Sequence, residues 1–312
     1  MLLDLGAAIA IALNYFTIIY LTGLGGLFSE RSGIVNIGLE GMMIVGTVTG
    51  AYGTVTWGPV QGLALGALAG FLFALIHALA TVTFRVDHIV SGVVINVIAV
   101  GVARFLSQVF FGQSTQSDPG IPSLDPIDIP LLSDIPEGFG RAFSSMSPVV
   151  IVAFLISIPA IFMLNRTRFG LRLRSAGENP DAATSLGVRV GPLRYAGVGI
   201  SGALAGLSGA FLAIEVNGLF REGQTVGLGF IALAALILGN WKPIPLMLGA
   251  LLFGFAQAIP LRLNDAPVIS ALPEEFIRMI PYVVTIVAIA GFVGRVQPPE
   301  AAGRAYQGAG GT

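Results

Sequence analysis

The chain has 312 residues, 54% of them hydrophobic and 11% charged, with a mean hydropathy of +0.85. A soluble domain carries about 25% charged residues, so too little polar surface remains to coat a globule of this size, and lipid must be the solvent for most of the chain. A net charge of −1 argues against a nucleic-acid surface, the absence of Cys excludes a disulfide framework or thiolate metal site, and His77 and His88 are too few for a metal cluster.

A bilayer core takes about 20 mainly apolar residues per helix. In chain order the predicted spans are 5–27, 39–57, 60–84, 89–111, 149–165, 192–214, 226–240, 244–260 and 278–294. The expectation is an all-α, polytopic integral membrane bundle of about nine transmembrane helices, a single domain over 1–312. Its first helix lacks the basic start and cleavage site of a secretory signal and reads as a retained span. Glycine recurs inside the spans, as in "GLALGALAG" at 62–70 and "GVGISGALAGLSGAF" at 197–211. In lipid, small residues let helix backbones approach closely, which predicts tight packing.

Two polar segments separate the spans. The first, 112–148, holds five acidic residues, one arginine and many prolines, and reads as an irregular loop. The second, 166–194, carries six of the sixteen basic residues. Cytoplasmic loops carry the Lys/Arg excess, so 166–194 is expected inside and 112–148 outside. That placement sorts eleven basic residues inside (Arg31, Arg85, Arg166, Arg168, Arg172, Arg174, Arg189, Arg194, Lys242, Arg295, Arg304) and four outside (Arg141, Arg221, Arg262, Arg278), with Arg104 in a span. It puts the N-terminus outside and the tail, 295–312, in the cytoplasm.

Within 166–191 a short helix is signalled by Asn179 as N-cap, Pro180 at the first helical position, Asp181 in the first turn and Gly187 to close it. About two turns cannot be stable alone, so this helix must pack on its own bundle or on a partner. It is either a connector on the headgroups or a docking knob whose small residues enter a partner's cleft.

"SAGENPDAATSLGV" resembles the cytoplasmic coupling helix of ABC-importer permeases in the ribose and branched-chain amino-acid permease superfamily. "LFSERSGIVNIGLEGMM" (27–43), "VDHIVSGVVINVIAVG" (86–101), "GLGFIALAALILGNWKP" (227–243) and "PYVVTIVAIAGFVGR" (281–295) fit the same group in order, and together are most similar to its nucleoside branch. Ribose-type permeases usually carry a further helix ahead of the one at 5–27; starting without it agrees with the N-terminus placed outside by charge. The resemblance implies a membrane subunit of an ATP-driven importer, with a simple-sugar permease as the alternative. It also implies a second, homologous permease, a substrate-binding lipoprotein at the outer face, and ATP-binding subunits contacting Glu178, Asn179, Pro180, Ala182, Ala183 and Gly187. ATP and magnesium would be bound by those separate subunits, since no G-x-x-x-x-G-K-[ST] loop occurs in this chain.

For the solute, "GIVNIGLEG" (33–41) and "GQTVGLGF" (223–230) are Gly-interrupted stretches in the two halves, a pattern that points to a transporter's binding region. Asn36 and Glu40 lie in the first, where helix capping accounts for them equally well. A ring-and-ribose solute needs amides and an aromatic wall, which Asn96 and Gln257, with Phe105 or Phe230, could supply. Arg104 could line the path or snorkel to the headgroups. An ion-coupled carrier is the rival reading, but Glu40 and Glu215 both fall near span ends and form no relay. "GISG" and "GLSG" match an intramembrane-protease pattern, yet both histidines precede Ser201 and Ser208, and helix packing explains these serines better.

Overall fold

The computed structural model describes residues 5–113, 115–130, 132–133, 135, 140–263, 276, 279–292 and 297–306. Arg278 and Arg295 lie outside these residues, as do parts of the 112–148 loop and of the 295–312 tail. The main helices are α1 (Leu5–Arg31), α2 (Leu39–Trp57), α3 (Pro59–Ala78), α4 (His88–Phe111), α5 (Pro148–Leu155), α6 (Ser157–Arg166), α7 (Arg168–Glu178), α8 (Pro180–Ser185), α9 (Val190–Phe211), α10 (Leu228–Leu238), α11 (Pro243–Leu263) and α12 (Ile280–Phe292). α3 and α9 each run on into a π turn, Leu79–Thr83 and Leu212–Val216. Among the described residues the β pairing is confined to two isolated bridges, Gln116 with Arg221 and Ile127 with Met146.

Six stretches are long and apolar enough to cross a membrane: Gly6–Arg31, Pro59–Thr83, His88–Phe111, Pro148–Arg166, Val190–Val216 and Pro243–Pro260. The other three predicted spans fall short for different reasons. α2 has 19 residues, but four threonines and four glycines dilute its apolar character. α10 has only 11 residues, about half a bilayer at about 1.5 Å rise per residue. α12 has 13.

α1 is the central post of the bundle. Phe16, Ile18, Ile19, Tyr20, Leu21, Leu24 and Leu27 are all fully buried, on every side of the helix, as expected of a helix that is apolar all round and enclosed by protein. α4 does the opposite: Ile95, Ala99 and Ala103 face inward, while Val93, Val94, Val97 and Phe105 are left on the outside.

α2, α3 and α9 meet where their glycines coincide. A Cβ at Gly206 would overlap the Gly66 carbonyl, and one at Gly46 would overlap the Gly206 backbone. This is the close approach that the glycine-rich spans predict. The serines share in it. Ser201 accepts a hydrogen bond from Asn36 Nδ2 at 2.9 Å, and Ser208 is hydrogen-bonded to Thr22 and donates to the Ala205 carbonyl. His77 is hydrogen-bonded to Ser91 and the Val35 carbonyl instead.

The contacts sort the chain into two ends. Arg31, Glu178, Arg194, Trp241 and residues 297–306 are joined at one end. At the other, Ser117 N–H donates to the Phe220 carbonyl, Leu124 N–H to Glu215, and Arg104 pairs with Glu222 at 2.7 Å.

Candidate functional site

The arginine-rich segment folds as two helices at one end of the bundle. α7 was not predicted from the sequence; its buried residues, Gly170, Leu173, Ala176 and Gly177, recur at helical spacing, the signal that could have marked it. Thr167 caps it by accepting the Gly170 N–H. Asn179 then caps α8, its Oδ1 accepting the Ala182 N–H at 2.9 Å, with Pro180 at the first position and Gly187 closing the turn at φ +79°. Ala183 faces inward onto Ala176 and Val190, whereas Glu178, Asn179, Ala182, Leu186 and Gly187 are exposed. Leu186, at 85% exposure, is the most exposed large apolar side chain described.

The tail straps this helix down. Ala301 N–H donates to the Gly177 carbonyl, Gly303 N–H to the Gly33 carbonyl, and Tyr306 is hydrogen-bonded to Thr184 on α8. The Tyr306 ring also covers the Arg194 guanidinium at 5.7 Å. Arg194, counted from the sequence among surface arginines, is in fact 1% exposed, and its Nη1 donates to the Arg304 carbonyl. The sequence offered no sign of this burial, because the covering residues lie over a hundred positions away.

Arg31 connects this end to the rest. Its Nε and Nη2 donate to the Trp241 carbonyl at 3.1 and 2.7 Å, and its Nη1 pairs with Glu178 at 3.3 Å. Trp241 forms the turn between α10 and α11, and its indole N–H donates to the buried Glu30.

α10 leads from that turn to the interior. Its first turn is held by Glu40, whose carboxylate accepts from Thr225 Oγ1 at 2.6 Å, Gly227 N–H at 3.0 Å and Gly229 N–H at 2.7 Å. The two N–H groups are among the backbone donors that a helix start leaves unpaired, a position that favours a negative charge. A Cβ at Gly229 would overlap Glu40, so glycine is needed for the approach. Asn96 braces the break before α2: its Oδ1 accepts the Gly41 N–H at 2.7 Å and its Nδ2 donates to the Ile37 carbonyl at 3.0 Å. Asn36 donates to Ser201 and leaves its own Oδ1 without a partner.

Of the residues considered for the solute path, Asn36, Glu40 and Asn96 are thus gathered around the two chain breaks. Gln257 stands apart, on a cavity of about 260 Å³ shared with Tyr15, Gln224 and Tyr282. Phe105 and Phe230, 67% and 48% exposed, lie on the outer surface of the chain. The polar break "QTVG" before α10 marked Gln224 and Thr225; nothing in the sequence marked Tyr15 or Tyr282.

Among the described residues the chain is a helical bundle with several helices able to cross a membrane, and it belongs to the family described as branched-chain amino acid transport system / permease component, matched over residues 8–289, which makes it a multi-pass permease. It is 43% identical over 309 residues to the nucleoside ABC transporter permease protein NupC of Lactococcus lactis subsp. cremoris (strain MG1363), covering 96% of each chain. It is 42% identical over 301 residues to the guanosine ABC transporter permease protein NupQ of Bacillus subtilis (strain 168), covering 94% of each. A metal-chelate type ABC transporter solved in an inward-facing conformation shares the fold, with a TM-score of 0.50 at 17% identity over 91% of this chain and 86% of that one.

Proposed function

We propose that this ABC permease carries a nucleoside across the inner membrane into the cell. The observation that carries the reading is the 42–43% identity, over nearly the whole chain, to permeases named for nucleoside and guanosine. In this reading α2, α10 and α12 join the six long spans, making nine membrane-embedded helices. The arginine-rich end is cytoplasmic by charge, the N-terminus lies outside, and the acidic 112–148 loop faces a substrate-delivering lipoprotein. A homologous second permease and lipid cover the outer apolar faces.

The coupling step follows from the contacts. ATP-binding subunits dock on Glu178, Asn179, Pro180, Ala182 and Gly187, with Ala183 packed beneath as the hinge of the helix. Their closure moves α8; Glu178 passes this to Arg31, and Arg31 holds the Trp241 turn at the base of α10. α10 is held at its other end by Glu40. A push at the surface therefore shifts a half-helix inside the membrane and the 217–227 loop beyond it.

Reconstitution tests this. The complete importer (this permease, its partner permease, ATP-binding subunits and lipoprotein) is placed in proteoliposomes and offered radiolabelled guanosine, uridine, ribose and leucine. Guanosine or uridine uptake that requires ATP supports the proposal. Uptake of ribose alone, or uptake driven by an ion gradient without ATP, overturns it.

A further inference from the structure

We propose that the cavity between α1, α11, α12 and the 217–227 loop seats the base of the transported solute, read by the side-chain amides of Gln257 and Gln224. The assignment rests on the nucleoside reading and adds a place for it. The cavity, about 260 Å³, is bounded by Tyr15, Gln224, Gln257, Pro260, Pro281 and Tyr282, and among the described residues no charged side chain lines it. A charged group seated in this part would be left unpaired, which is far costlier than seating a neutral heterocycle.

The polar groups on its wall have hydrogen bonds to spare. Gln224 Oε1 is taken by Asn217 Nδ2 at 2.9 Å, while Gln224 Nε2 is buried with no partner. Among the described residues the Gln257 side-chain amide has no hydrogen-bond partner, although it lies on the wall of the cavity. A primary amide offers an acceptor and two donors in one plane, the arrangement that pairs with the edge of a base. Buried donors without partners are rare in folded proteins and call for an explanation; an absent ligand is one.

The tyrosines complete the fit. Tyr282 donates its hydroxyl to the Val226 carbonyl at 3.2 Å, which holds its ring at the rim, and Tyr15 closes the wall from α1. Val226, a β-branched residue, sits at φ +45°, a conformation that costs energy and is found preferentially at ligand clamps and switches. A second cavity of about 450 Å³ shares Gln224 and Val226 and is lined by Asn217, Arg221 and Glu222. Together the two fall in the size range of small-molecule sites, with the apolar, amide-bearing part suited to the base and the polar part to the sugar hydroxyls. Occupancy also reaches the machinery, because the residues after Gln224 are those bonded to Glu40.

The test uses the assembled importer in proteoliposomes with radiolabelled guanosine and uridine. Gln257→Leu and Gln224→Leu are expected to raise KM by about tenfold, the effect of about 1.4 kcal/mol of lost binding. Gln257→Asn, which keeps the amide but shortens it, is expected to change the guanosine-to-uridine preference. Val97→Leu, on the outer face of α4, is expected to keep the wild-type KM. If the Leu variants do not assemble, Gln257→Asn and Gln257→Met carry the measurement. Wild-type KM and selectivity in every assembled variant, with nucleosides transported normally, overturn the site while leaving the nucleoside reading intact. A wild-type importer that moves no nucleoside overturns the reading itself. The variants are then compared on whichever solute it does move, and an unaltered KM there overturns the site as well.

Discussion

Glu40 accepts the Gly229 N–H at 2.7 Å across 189 positions of chain. One carboxylate at the start of α2 thereby sets the start of α10, and both breaks in the helical pattern become one joint. The joint is buried, with Glu40 only 7% exposed, so its hydrogen bonds have no water to fall back on.

Loss of this carboxylate is therefore severe. Hydrogen bonds to a charged group contribute about 1.5–3 kcal/mol each, and Glu40 accepts three. Glu40→Ala is expected to prevent accumulation of folded permease in the membrane. Glu40→Gln keeps an acceptor but turns an amide N–H2 toward helix donors, and is expected to fold with a lower Tm in detergent and little transport. A Glu40→Gln protein with wild-type Tm and uptake would show that the Glu40 carboxylate does not hold α10 against α2.

The two faces of α8 are expected to separate folding from docking. Ala183 is 3% exposed, so Ala183→Arg pushes a charge under α8 and is expected to abolish transport by displacing the helix, with reduced thermal stability. Leu186→Arg changes only the outward face. It is expected to leave the isolated permease as stable as wild type while weakening co-purification of the ATP-binding subunits. Normal recovery of those subunits with Leu186→Arg would argue against docking on this exposed face of α8.

Helix contact at the glycine seam is expected to be unforgiving. Gly206→Leu forces α9 away from α2 and α3, because even a Cβ there overlaps the Gly66 carbonyl; the expected result is loss of folded protein, read by size-exclusion of detergent extracts. Gly101→Ala, where a Cβ meets nothing within 4 Å, is the matched control and is expected to behave as wild type.

Much of this was legible before any coordinates. The α8 caps were readable because capping acts over three or four residues: Asn179 reaches Ala182, and Gly187 supplies the positive φ next to Ser185 and Leu186. The tight seam was readable from glycine recurrence. The half-length of α10 was visible as a short apolar run. Illegible were the inward face of Ala183, the burial of Arg194 and the roles of Tyr15 and Tyr282. A helix two turns long has too little pattern to declare a face. An arginine gives no local sign that a tyrosine from the tail will cover it.

By itself, then, the sequence determined that this chain lives in lipid, that six of its sixteen basic residues cluster in one segment, 166–194, and that a capped helix stands among them. Those properties follow from composition and from chemistry within a turn or two. Only the tertiary structure decided that Glu40 holds α10, that Arg31 joins Glu178 to the Trp241 turn, and that Gln224 and Gln257 face one cavity. The partners in each case lie from about thirty to just over two hundred residues apart, and no local rule of hydrogen bonding or helical period can choose between them; the packing of the helices does.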